Sequence, residues 1–73
     1  MVRKEAFINK IRELNYTYKK QQKRVDLWRK AGGTHFISVP RRDLLDEEFV
    51  SSSLRQAGVS EEEIRTFISS THI

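Results

Sequence analysis

Six basic side chains crowd into KKQQKRVDLWRK, residues 19 to 30, around a short apolar core of Val25, Leu27 and Trp28. Cations at this density suit a phosphate backbone, which Lys and Arg on a rigid scaffold recognise through charge and shape. Proton-transfer chemistry has far less to work with. His35 and His72 are the only imidazoles, and an imidazole is the side chain that most often serves as general acid or base. His35 stands beside a hairpin tip among arginines, so it is the one candidate for working on a ribose 2′-hydroxyl. His72 lies in the terminal tail and is given no role. No Ser/His/Asp set is legible. The chain has no cysteine, which excludes disulfides and thiolate zinc sites. Gly32-Gly33 lacks the spacing and the following Lys-Ser/Thr of a phosphate loop. No metal or cofactor is expected.

The net charge of +4 hides an uneven layout. Residues 1–42 hold twelve Lys/Arg against three Asp/Glu, a net of +9, whereas residues 43–73 hold two against seven, a net of −5. Such polarity suits an anionic ligand at one side and a different contact at the other. The candidate RNA contacts are Lys4, Lys10 and Arg12, then Lys19, Lys20, Lys23 and Arg24, then Arg41 and Arg42. At 73 residues the chain reads as a single domain, 1–73, with a structured core of about 3–69 and little core to bury. It has neither an apolar run of membrane-spanning length nor the hydrophobic stretch of a signal peptide. No membrane association and a cytoplasmic location are the expectations.

These residues need elements to hold them. In RKEAFINKIREL, Phe7, Ile8, Ile11 and Leu14 recur at helical spacing, which predicts an amphipathic helix over residues 3–14. YTYKKQ (16–21), RVDLWRK (24–30) and THFISVP (34–40) read as three strands. A three-residue loop, Ala31-Gly32-Gly33 with Gly33 left-handed, sets Leu27 opposite Ile37 and Val25 opposite Val39 on the core face. Trp28 then meets Phe36 on the open face. A two-residue Gly-Gly loop, with Leu27 against Ser38, mixes the faces and fits less well. A second helix is predicted from roughly Leu45 to Ala57, stopped by Gly58 with Val59 packing back. SEEE (60–63) is a capping box opening a last helix with Ile64, Phe67 and Ile68 inward. The fold class is α+β: a three-stranded antiparallel sheet with helices on one face, in the order α-β-β-β-α-α.

The element order, LNYTYKKQ after the first helix, ISVP in the third strand and LRQAGVSEEEI near the end together resemble the HicA toxin family. The resemblance covers roughly residues 5–68, and LRQAGVSEEEI is its most specific part. It implies a fold like the double-stranded-RNA-binding domain, messenger-RNA cleavage, and neutralisation by a partner antitoxin, HicB. It also implies where the catalytic group belongs. The family's strand motif carries an Arg and then Gly-Ser-His, with the histidine catalytic. Aligned without gaps from Tyr16 to Trp28, Lys20 takes the Arg place, Lys23 and Arg24 the Gly and Ser places, and Val25 the histidine's. A further histidine that often follows the family's Val-Pro falls near Arg42. Valine transfers no proton, so the scaffold is kept without its acid/base.

Three functional readings follow. The first is a HicA-like domain binding structured or double-stranded RNA without cleaving it, part of a toxin–antitoxin-type pair with a HicB-like partner. The second is an active ribonuclease using His35. The third is a protein-interaction module using Trp28 and Phe36 on the open sheet face, with a partner protein or a second copy.

Overall fold

The helical spacing at the start of the chain and the alternation after it are realised with two short additions. In the computed structural model, which describes residues 1–72, the elements are β1 Val2–Arg3, α1 Lys4–Glu13, β2 Tyr16–Gln21, β3 Val25–Lys30, β4 Phe36–Pro40, β5 Leu44–Leu45, α2 Glu47–Gln56 and α3 Glu61–Thr71. The three central strands form an antiparallel sheet in the order β2-β3-β4. With three helices it makes an α+β fold, as its sequence predicts.

The additions tie the ends together. β1 pairs antiparallel with β5, Val2 opposite Leu45, and an isolated bridge joins Val2 to His72. Val2 and Leu45 are both fully buried. Order therefore extends beyond the expected 3–69 at both ends. His72 is also engaged rather than idle, its Nε2 lying 2.7 Å from a Glu47 carboxylate oxygen.

The sheet register differs from expectation by one residue. Leu27 pairs with Ser38, Trp28 with Ile37 and Asp26 with Val39. The Lys30 amide donates to the His35 carbonyl at 3.0 Å, so this pair closes a hairpin loop of four residues, 31–34. Gly32 rather than Gly33 is left-handed, with φ of 74°. A shift of one residue exchanges the faces of a strand. Trp28 thus lies in the core at 6% exposure beside Tyr16, Ile37 and Val39, while Val25 and Leu27 are half-buried on the other face. The physical reason is size: a buried Trp removes more apolar area from water than a Leu. Tyr18 stands edge-on to the indole, centroids 5.8 Å apart, and the Arg12 guanidinium covers it at 5.3 Å. The core face continues into Phe7 and Ile11 of α1, Val50 and Leu54 of α2, and Ile64 of α3.

The helix ends explain why the elements stop where they do. Asn15 takes φ of 71° just past α1, a conformation that Asn tolerates better than most residues. After α2, the Gly58 amide donates to Arg55 and the Val59 amide to Leu54, with Gly58 at φ of 90°. That pair of bonds is the Schellman arrangement, whose left-handed residue is easiest for glycine to supply. Ser60 Oγ accepts from the Glu63 amide at 3.2 Å and opens α3.

Candidate nucleic-acid interface

The basic residues of the β2–β3 hairpin are held by its turn. The Gln22 amide donates to the Val25 carbonyl at 2.9 Å, closing residues 22–25. Arg41, just past β4, reaches across to the same turn. Its Nε donates to Asp26 Oδ1 at 3.2 Å, and its Nη2 donates to the Gln22 carbonyl and, at 3.5 Å, to that of Val25. One guanidinium thus fastens the end of β4 to the hairpin. The result is an open cleft of about 480 Å³ lined by Arg24, Val25, Pro40, Arg41 and Arg42.

No carboxylate lines that cleft. Arg41 shares its charge with Asp26, but Arg24 and Arg42 have no hydrogen-bond or ion-pair partner among the described residues. Two unpartnered arginines lining one concavity supply planar, multi-donor forks of the kind that match the oxygens of a phosphate. Lys19, Lys20 and Lys23 stand exposed close by in the chain. The ladder shifts between Tyr18 and Lys20, so Lys19 is the extra residue of a bulge and Lys20 shares the open face with Leu27.

The nine basic candidates are not brought together as one surface. Lys10 lines a groove with Ser60 and with Glu62 and Glu63 of α3, away from the arginine cleft. Lys4 sits beside Asp43, whose carbonyl accepts from its amide at 2.9 Å. Arg12 caps the Trp28 ring. The hairpin and the residues after Pro40 carry the cluster. Arg29, absent from the sequence-derived set, is exposed on the open face, with its Nε donating to the Gly33 carbonyl at 2.9 Å. Its place at two residues from Leu27 was the available signal.

The proposed aromatic pair does not exist as a surface. Trp28 is buried and Phe36, 46% exposed, lies on the opposite face opposite Arg29. The one-residue shift in register separates them.

His35 is half-buried, with Nδ1 lying 2.5 Å from Tyr16 Oη. The Tyr16 ring is 2% exposed, and its burial pushes the phenol above its ordinary value. This couple sits at the opposite end of β3 and β4 from the arginine cleft. Five ladder steps separate the Lys30–His35 pair from the Val25–Pro40 pair, about 17 Å at ~3.4 Å per residue. His35 and the cleft therefore cannot serve one phosphodiester in one pose.

The geometry defines a small α+β domain with a cationic cleft at one end of its sheet. Comparison with protein-family models, curated proteins and solved structures finds no match for this chain. Among the described residues, no three His, Cys, Asp or Glu converge to hold a metal ion, and no helix is long and apolar enough to cross a membrane.

Proposed function

We propose that this chain is an RNA-binding domain on a HicA-like scaffold, of the double-stranded-RNA-binding-domain type, that holds structured RNA without HicA-type cleavage. The observation that carries this reading is the carboxylate-free cleft of Arg24, Arg41 and Arg42 beside the hairpin lysines. Double-stranded RNA is contacted mainly through phosphates and 2′-hydroxyls, and such a cleft meets that need without sequence readout. Val25, at the position where the resemblance expects the catalytic histidine, lines this cleft. It offers a methyl surface and no proton. The corresponding cellular role is a toxin–antitoxin-type component in the cytoplasm, with a HicB-like protein as partner.

The test is charge reversal at the turn. Lys19, Lys20, Lys23 and Arg24 are all exposed, so changing them together to Glu leaves the core intact. The expected outcome is loss of RNA binding in a low-salt mobility shift with an unchanged circular dichroism spectrum. Unchanged binding would contradict the proposal.

A second reading is favoured by a specific contact. The Tyr16 hydroxyl fixes one nitrogen of His35 and so orients the ring, as the partner of a general base must. On this reading the protein is a ribonuclease with His35 as its acid/base. Cleavage of a bulk messenger RNA that disappears in His35→Ala would establish it in place of binding alone.

A further inference from the structure

The two edges of the central sheet are treated differently. β2 is guarded: it carries Lys19 and Lys20 and is broken by the bulge between Tyr18 and Lys20. Lysines and bulges are the usual means of keeping a free edge from pairing with another chain. β4, the other edge, reads Phe-Ile-Ser-Val-Pro, with no charge and an unbroken register.

The outward groups of β4 follow from the ladder. Since the Lys30 amide donates to the His35 carbonyl, the hydrogen-bonded pairs alternate from there through Trp28–Ile37 and Asp26–Val39. Phe36 and Ser38 therefore turn their N–H and C=O groups away from β3. Among the described residues no strand pairs with them. Pro40 has no N–H to offer, which ends the free ladder there.

Beside this edge runs a groove of about 560 Å³ between β4 and α2. Phe36, Ile37 and Ser38 form one wall, and Asp46, Glu48 and Phe49 are on the other. No Lys or Arg lines it. A free strand edge beside a helix is the geometry in which an extended peptide adds a strand, its backbone supplying affinity and alternate side chains specificity.

We propose that β4 and α2 form a docking groove for an extended segment of another polypeptide, with basic side chains alternating with aliphatic ones. Charge complementarity selects this occupant. A strand added to β4 points alternate residues to opposite faces. Those on the helix side meet Asp46 and Glu48, and those on the open side pack against Phe36. A second copy's β4 would instead bring two acidic grooves together, a like-charge juxtaposition that disfavours self-pairing. The site lies apart from the arginine cleft and does not depend on RNA binding.

The probe is an acetylated, amidated peptide of alternating Lys and Val, compared with its Glu–Val counterpart by amide chemical shifts of the whole chain. The Lys–Val peptide is expected to perturb Phe36, Ser38 and the start of α2, and to bind at least about tenfold more tightly than the Glu–Val peptide. Asp46→Asn with Glu48→Gln, which preserve side-chain shape at the helix start, should erase that preference. Methylating the peptide's edge-facing amides should remove binding. Equal binding of both peptides, absence of binding, or perturbation centred on β2 would overturn the proposal. So would sedimentation showing that the chain alone pairs through β4, since a second copy would then be the occupant.

Discussion

Val25 and Trp28 exchange the roles that alternation suggests for them. The run Val-Asp-Leu-Trp places apolar side chains on both faces, so either register gives β3 one plausible core face. The hidden determinant is the loop: four residues rather than three, with Gly32 as its left-handed member. A truncation series reads this directly. Trp28→Ala should cost about 3–5 kcal/mol by chemical denaturation, as loss of a buried Trp does. Leu27→Ala, half-buried on the open face, should cost less than about 2 kcal/mol. The reverse order would restore the three-residue-loop register. Because Val25 is not in the core, Val25→His should fold, losing about 1 kcal/mol or less. Tyr16→Phe, which removes the bond to His35, should cost about 1 kcal/mol. The raised phenol pKa adds a pH dependence. Stability linked to Tyr16 is fully present below its ordinary value of 10.0 and is lost as pH rises through the higher folded value. Denaturation across that alkaline window, with Tyr16→Phe as control, checks the sign.

At the level of elements, long periodic segments were readable and short ones were not. α1 is spelled by Phe7 and Ile11, and α3 by Ser60 and Ile64, because amphipathic spacing and a cap are local signals. Gly58 marked the end of α2 for the same reason. β1 and β5 are two residues each, too short for alternation to show. They exist because Val2 and Leu45, forty-three positions apart in the chain, pair and are both buried. Their presence also moved the start of α2 to Glu47 from the expected Leu45. Gly58→Ala should destabilise by about 1 kcal/mol or more, since φ of 90° penalises any Cβ. Ser60→Ala should cost about 1 kcal/mol through the lost cap. The Arg55–Glu61 pair, at 2.5 Å, holds the Glu61 carboxyl below its ordinary value through the hydrogen bond from Arg55. Its contribution is therefore present at neutral pH and lost as pH falls through the lowered value. It should weaken with added salt, since both groups are exposed. Comparing Glu61→Gln with the parent at neutral and acid pH measures it.

Across the whole molecule, the charge division legible in the sequence becomes spatial only in part. Of the carboxylates in residues 43–73, Asp46 and Glu48 line the β4 groove and Glu62 and Glu63 line a groove that the early cation Lys10 shares. What remains is the hairpin with Arg24, Arg41 and Arg42, a smaller and denser site than nine scattered residues. The sequence could not show this concentration because Arg41 is separated from Asp26 by fifteen positions and meets it only when β4 returns. The proposed RNA-binding role rests on that concentration, and binding driven by it must release counterions.

Fluorescence anisotropy of an RNA duplex of about 16 base pairs, the span that double-stranded-RNA-binding domains cover, tests that proposed role most directly. The titration runs from about 50 to about 200 mM salt, where log K should fall linearly against log salt with a slope between about −3 and −5. Arg24→Gln with Arg42→Gln should reduce the magnitude of that slope by about 2, roughly one for each phosphate no longer neutralised. Lys10→Gln, facing α3, should leave it unchanged. A slope unaffected by the two arginine changes, or lowered equally by Lys10→Gln, would contradict the account.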